Sequence, residues 1–261
     1  MSDLPVLVEQ DGGLVVLTLN APARRNAIST EMRTALREAV RAALADDGCR
    51  AVVLTGAGGV FSSGADIDQM QSGATIDIDR VRMRYSILHD TVKLMCGGPK
   101  PFVAAVEGYA MGAGLSLASA CDFVVASKSA KLNAGFGKMG LIGDCGLLWT
   151  MPRRVGLAHT KDILFSGRSV TGEEAFTLGF ADQLVEPGEA LAAAKARAMS
   201  YSTAGPLTVA ETKSLLNGAY ASLEGLLAAE SAAQDRMCLS ADHDEARAAF
   251  KDRRTPRFQG R

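Results

Sequence analysis

An α/β fold that ends in a helical region is what this chain predicts, on three observations. Short β-branched and aliphatic runs alternate with amphipathic segments through the first 150 residues. The order strand, small-residue loop, helix appears at Ala51 and again at Phe102. Beyond residue 150 the pattern becomes mainly helical, rich in Ala and Leu.

The elements follow in order. Val6 to Val8 and Leu14 to Leu19 are apolar runs separated by Asp11-Gly12-Gly13, which reads as a hairpin whose turn tolerates positive φ. Ser29-Thr30 caps a helix with apolar residues Met32, Leu36, Ala39, Val40, Ala43 and Leu44 at helical spacing, ended by Asp46-Asp47-Gly48. Ala51 to Thr55 is a buried strand that runs into GAGGVFSSGAD. Val81, Tyr85, Leu88 and Val92 share one helix face. Phe102 to Val106 is a strand, Glu107 to Gly112 a loop, and Ala113 to Ala120 an apolar helix. Cys121 to Ala126 is the next strand, followed by a loop holding Gly135, Gly137, Gly140, Gly143 and Gly146. Asp182 to Val185 is the last strand, and helices are expected at 190–200, 206–220, 223–239 and 242–250.

Composition narrows the function. The 261 residues are 48% hydrophobic and 22% charged, enough apolar surface for an ordered domain of near-maximal size or one domain with an appendage. We divide the chain into a core, residues 1–200, and a helical region, 201–261. A net charge of -1 gives no field for a polyanion, so nucleic acid is excluded as a partner. The longest uncharged stretch, Ala51 to Ala65, is too short for the roughly 20 residues of a membrane span. The start, MSDLPVLVEQDGG, lacks the basic and apolar regions of a signal peptide, so a cytoplasmic location is expected. The cysteines (Cys49, Cys96, Cys121, Cys145, Cys238) are scattered without a C-x-x-C pair and read as buried free thiols. The histidines (His89, His159, His243) have no ligand-spaced partners beyond surface acids near His243, so no metal is expected.

The two glycine-rich loops carry the chemistry. FSSGADI, Phe61 to Ile67, and EGYAMGAGLSLA, Glu107 to Ala118, both bring small residues to a helix start, where unpaired N–H groups receive negative charge. Together they can form an oxyanion hole; singly, each also reads as a loop whose glycines serve only turn geometry or close packing. Neither completes G-x-G-x-x-G, because Phe61 and Leu117 stand where the third glycine belongs, and there is no P-loop lysine. NAD and ATP are disfavoured.

These residues resemble the crotonase, or enoyl-CoA hydratase/isomerase, superfamily over nearly the whole chain. The resemblance rests on RRNAI (Arg24 to Ile28), FSSGADI, PKPFVAAVEGYAMGAGLSLA from Pro99, CDFVVAS from Cys121, MPRRVG from Met151 and the tail EARAAFKDRRTPRF. It implies a ββα spiral core, a helical C-terminal trimerisation region, assembly as a homotrimer or dimer of trimers, and an acyl-CoA thioester substrate with no cofactor beyond its own coenzyme A. It also implies that the N–H groups of Ala65 and Ala113 bind the thioester oxygen, with Gly112 and Gly114 flanking the latter. Arg24, Ala27, Ala65, Asp66 and Ile67 would line the coenzyme A arm, and Phe250 with Lys251 would be a weaker patch for the nucleotide of a bound molecule.

The resemblance also bears on the reaction. Hydratases of the family carry two glutamates, at positions matching Ser116 and Phe136 here, so hydration by the two-glutamate route is disfavoured. Asp144 is the remaining carboxylate, placed where isomerase-type members carry an aspartate, and one base suffices to move a double bond. Asp144 is equally a good helix N-cap for the residues after it. Among Phe136, Leu141, Leu148 and Trp149 its carboxyl would be desolvated and more basic. Phe136, Met70, Met83, Leu141 and Trp149 suggest an apolar or aromatic acyl pocket. His89 reads as an ordinary helix-face residue, yet aryl-thioester dehalogenases of the superfamily place a histidine and a nucleophilic aspartate at positions matching His89 and Asp144, with a tryptophan where Phe136 stands. A non-catalytic acyl-CoA-binding protein is a further alternative. Cys145 has no histidine in reach to activate it, and Glu107 reads as structural or as a salt-bridge partner.

Overall fold

The turn chemistry sets the first hairpin: β1 (Val6–Asp11) and β2 (Leu14–Leu19) pair antiparallel, with Gly12 and Gly13 both at positive φ. The computed structural model describes residues 4–70 and 76–261. After β2 the chain enters α1 (Thr30–Ala45), whose first turn is capped by Ser29 Oγ accepting from the Met32 N–H. The remaining core elements are β3 (Ala51–Gly56), α2 (Ile78–Gly97), β4 (Phe102–Val106), β5 (Tyr109–Met111), α3 (Ala113–Ser119), β6 (Phe123–Ser127), β7 (Lys131–Asn133), α4 (Leu147–Ser166), β8 (Ser169–Thr171), α5 (Gly172–Thr177), β9 (Gln183–Val185) and α6 (Ala190–Tyr201). The chain closes with α7 (Pro206–Asn217), α8 (Leu223–Cys238) and α9 (Ala241–Asp252).

β1 through β4, β6 and β9 form one sheet in the order β1-β2-β3-β4-β6-β9, parallel except for the first pair. Its central strands are buried on both faces, which explains their unbroken Val, Leu and Ala runs. Alternation still assigns the faces. Val52, Leu54, Phe102, Ala104 and Val124 join the core shared with α1, α2 and α3, whereas Val53, Val103, Ala105 and Val125 pack on Ala190, Ala194 and Ala198 of α6. Alanine at every fourth position lets α6 lie close on the sheet. Glu107 anchors it, its Oε1 accepting from the N–H groups of Gly188 and Ala190 at 2.9 and 3.1 Å, so Glu107 serves as a helix cap and makes no ion pair among the described residues.

A second sheet, β5-β7-β8, was not legible in the sequence, where its three-residue strands read as loop or helix. Strands this short carry no alternation to detect. α7 is fastened to the core by Lys213, which is buried and whose Nζ donates to the carbonyls of Met95 and Lys100 and pairs with Asp122 at 2.6 Å. The helix expected to reach residue 220 stops at Asn217, because Gly218 lies under the folded-back Tyr220 ring. Cys238 is exposed, unlike the buried thiols expected; all the cysteines are free. Among the described residues no helix is long and apolar enough to cross a membrane. The reading of the chain's start rests in part on Met1, Ser2 and Asp3, which lie outside the described residues.

Candidate active site

The first glycine-rich loop is stitched on both sides. Ile28 forms a parallel bridge to Ala65, its N–H donating to the Gly64 carbonyl at 2.8 Å and its carbonyl accepting from Asp66. In such a bridge the partner residue's own N–H faces away, so the Ala65 N–H stays free for a ligand. Ser62 bridges Ala110 in β5 on the other side, and its Oγ donates to the Asn26 carbonyl at 2.8 Å. Asn26, buried and at positive φ, holds the preceding turn: its Nδ2 donates to the carbonyls of Ala57 and Val60, and its Oδ1 accepts from the Ala21 N–H. Arg24 reaches back to Asp66 and Asp68, both at 2.6 Å.

The second loop meets the first at Gly64. A Cβ on Gly64 would lie 2.7 Å from the Met111 carbonyl oxygen and 3.6 Å from the Ala113 nitrogen, so only glycine permits this approach, and its φ of +90° demands glycine independently. Gly112 at φ +48° turns the chain into α3, and Ala113, as its first residue, has no intrahelical acceptor for its N–H. The free N–H groups of Ala65 and Ala113 thus lie on loops in contact. Gly114 is a packing residue, because a Cβ there would meet the Ser62 Cβ at 2.7 Å. Ser116, in α3, is wholly buried, its Oγ 3.0 Å from the Asp144 carbonyl, so it is a strut and does not line the cavity.

Asp144 precedes two consecutive left-handed residues, Cys145 (φ +50°) and Gly146 (φ +76°), which turn the chain into α4. Gly146 occupies the N-cap position and no side chain caps the helix, so the alternative role of Asp144 as N-cap is not what the structure shows. Its Oδ1 is instead buried without a hydrogen-bond partner. That burial pushes the carboxyl above its ordinary value, while the Cys145 thiol and the charges of Arg33 and His89 pull the other way. Burial also pushes the Cys145 thiol far up, which removes it as a thiolate nucleophile.

Ala65, Ile67, Gly112, Ala113, Phe136 and Asp144 line one cavity of about 360 Å3, mostly apolar, together with Met70, Tyr85 and Leu141. Other expected residues fall elsewhere. Arg24, Ala27 and Asp66 flank the Ala65 loop without lining the cavity, and Gly114 and Ser116 lie behind it. Trp149 is half exposed, stacked under the Arg153 guanidinium in a separate polar cleft with Asp122 and Asp182, so the structure does not bring it to the acyl pocket. Leu148 and Met83 are exposed and outside the cavity as well, because α4 and α2 turn those faces to solvent. His89 is exposed, stacked on Tyr85 one turn along α2, and does not line the cavity.

Sequence reasoning missed two cations. Arg33 in α1 is 3% exposed, with its Nε and Nη1 on the carbonyls of Ile28 and Arg84, and burial pulls its guanidinium below its ordinary value. Arg84 in α2 also lines the cavity, donates from Nη1 to the Gln69 carbonyl, and has a buried Nε without a partner. The signal for Arg33 was its spacing, three and seven residues before the buried Leu36 and Val40, which puts it on the core face.

Comparison with known proteins gives the family. The sequence profile of the enoyl-CoA hydratase/isomerase family matches residues 9–261. The chain is 33% identical to a 1,2-epoxyphenylacetyl-CoA isomerase of Escherichia coli over 258 residues, 98% of each chain. It is 31% identical to a mitochondrial methylglutaconyl-CoA hydratase of Mus musculus over 97% of this chain and 82% of that one. A solved enoyl-CoA hydratase from a Polaromonas species superposes with a TM-score of 0.91 at 33% identity, covering 97% of this chain and 99% of the other. With the crotonase fold, the paired loops and a profile match over nearly its full length, the chain belongs to the enoyl-CoA hydratase/isomerase family, enzymes that act on acyl-CoA thioesters.

Proposed function

We propose that this enzyme shifts a carbon–carbon double bond in an enoyl-CoA thioester, with Asp144 as the single acid and base. The observation that carries the proposal is the unpartnered, buried Oδ1 of Asp144 in the same cavity as Ala65 and Ala113. Among the described residues lining that cavity, Asp144 is the one carboxylate. The thioester oxygen is held by the two backbone N–H groups. Asp144 removes a proton from the α carbon of a 3-enoyl thioester, the electrons pass into a dienolate whose oxygen the N–H groups stabilise, and the protonated carboxyl returns the proton at the γ carbon. The product is the 2-enoyl isomer, with no net gain of atoms, so the reaction needs no cofactor beyond the coenzyme A of the substrate. Each oxyanion donor contributes roughly 3 kcal/mol to such a transition state.

Hydration by two carboxylates has no counterpart in this cavity: Phe136 lines it and Ser116 lies behind it, where the resemblance would place glutamates. Among the relatives, one is named a 1,2-epoxyphenylacetyl-CoA isomerase and another a methylglutaconyl-CoA hydratase. Arg24, Ala27, Asp66 and Ile67, grouped beside Ala65, would receive the coenzyme A arm, and α7 to α9 would build a homotrimer or dimer of trimers. The test is incubation with a 3-enoyl-CoA and its 2-enoyl isomer in deuterated water, followed by mass spectrometry. Interconversion without water addition, lost in Asp144→Asn by about 10²–10⁴-fold, is the expected result. Rapid addition of water would overturn it.

A further inference from the structure

We propose that the acyl cavity selects thioesters whose acyl chain ends in a second carboxylate, read by Arg84. This deepens the acyl-CoA reading and rests on it. The cavity is apolar in most of its wall, yet its charged lining groups are Arg33, Arg84 and Asp144, two cations against one carboxylate. No ion pair joins either arginine to an acid among the described residues. Arg33 is consumed structurally: its Nε and Nη1 face the Ile28 and Arg84 carbonyls, which ties α1 to α2. Arg84 is different. Its Nη1 is spent on the Gln69 carbonyl, whereas its Nε is buried without an acceptor.

A guanidinium that lines a cavity and keeps an N–H without a protein acceptor can take that acceptor from a ligand. The fork of an arginine matches a carboxylate, and a charge-assisted bond in an apolar wall is stronger than one in water. Ile76, Ile78 and Val81 line the same cavity as Arg84 and give it an apolar flank. Arg84 stands on α2, a different element from those that carry Ala65, Ala113 and Asp144, and in this role it takes the acyl chain's distal carboxylate and no part in the proton transfer.

The experiment compares binding of two saturated six-carbon thioesters, hexanoyl-CoA and adipoyl-CoA, by titration calorimetry at low ionic strength. Neither carries a double bond, so the readout is independent of isomerisation. The expected result is tighter binding of adipoyl-CoA by about tenfold or more, and a loss of that preference in Arg84→Met. Arg84→Lys, which keeps the charge without the Nε–H, should keep part of it and covers the case in which Arg84→Met does not fold, as judged by circular dichroism. Equal or weaker binding of adipoyl-CoA by the native chain overturns the proposal, as does a preference that survives both substitutions. If neither thioester binds, the acyl-CoA reading itself fails; if both bind equally, only the carboxylate selection does.

Discussion

Ser116 Oγ donates to the backbone carbonyl of Asp144 at 3.0 Å. This bond ties the helix that begins at Ala113 to the turn that carries the carboxylate, and so links the proposed oxyanion loop directly to the proposed base. On the proposed mechanism, a residue that does not line the cavity therefore helps position the base. Ser116→Ala is expected to lower stability by about 1 kcal/mol and to lower kcat more than it raises KM. Denaturant titration and steady-state kinetics check it, and a change in KM alone would assign Ser116 to binding.

The proposed role of Asp144 carries a pH signature. As a base it acts in the ionised form, and burial raises its pKa above the ordinary 3.8, so activity should rise with pH through that raised value and then level off. Stability has the opposite sign. A carboxyl with a raised folded-state pKa contributes stability below its unfolded pKa that is lost as pH rises through the folded one. Asp144→Asn should therefore melt higher than the native chain at neutral pH, with the gap closing toward acid. Melting curves across the two regimes decide this, and a gap that widens toward acid would show that the ionised form is the one the fold favours.

Gly64 is expected to be irreplaceable. In Gly64→Ala the new Cβ would stand 2.7 Å from the Met111 carbonyl oxygen at a φ of +90°, which costs about 1–3 kcal/mol in backbone strain alone and separates the two N–H groups. Gly97→Ala, where nothing lies within 4 Å, should change stability by less than about 0.5 kcal/mol and serves as the control. Comparable effects at both positions would remove the argument from loop contact.

The C-terminal helices leave large apolar side chains in solvent: Leu216 is 80% exposed, Leu239 89% and Phe250 85%. The proposed homotrimer or dimer of trimers would cover such side chains if they form one contiguous surface. The expected state in solution is a trimer or a multiple of it, and Leu239→Glu combined with Phe250→Glu should reduce the mass measured by light scattering. A monomeric native chain would contradict the expectation.

Much of this protein was legible before its structure. The long parallel strands announce themselves because residues buried on both faces must be apolar in unbroken runs, as in Ala51 to Leu54 and Phe102 to Val106. Helix starts were legible at Ser29 because capping is a local hydrogen bond between neighbours in the chain. The small-residue loops and Asp144 were legible by residue type and resemblance, down to the positions that share one cavity.

What the sequence by itself determined is the set of elements, the family and the candidates. The tertiary structure alone decided which candidates meet. The strands of β5, β7 and β8 exist through their partners, since three residues carry no period. Trp149 and Asp144 are five residues apart, yet the left-handed turn at Cys145 and Gly146 sends the carboxylate into the cavity and the start of α4 turns the indole to another face. Arg84 looks like a surface cation on an amphipathic helix, and its place in the cavity wall follows only from the packing of α1 against α2. Local patterns record what a residue does to its neighbours in the chain, whereas a buried charge is defined by the groups that close over it from elsewhere.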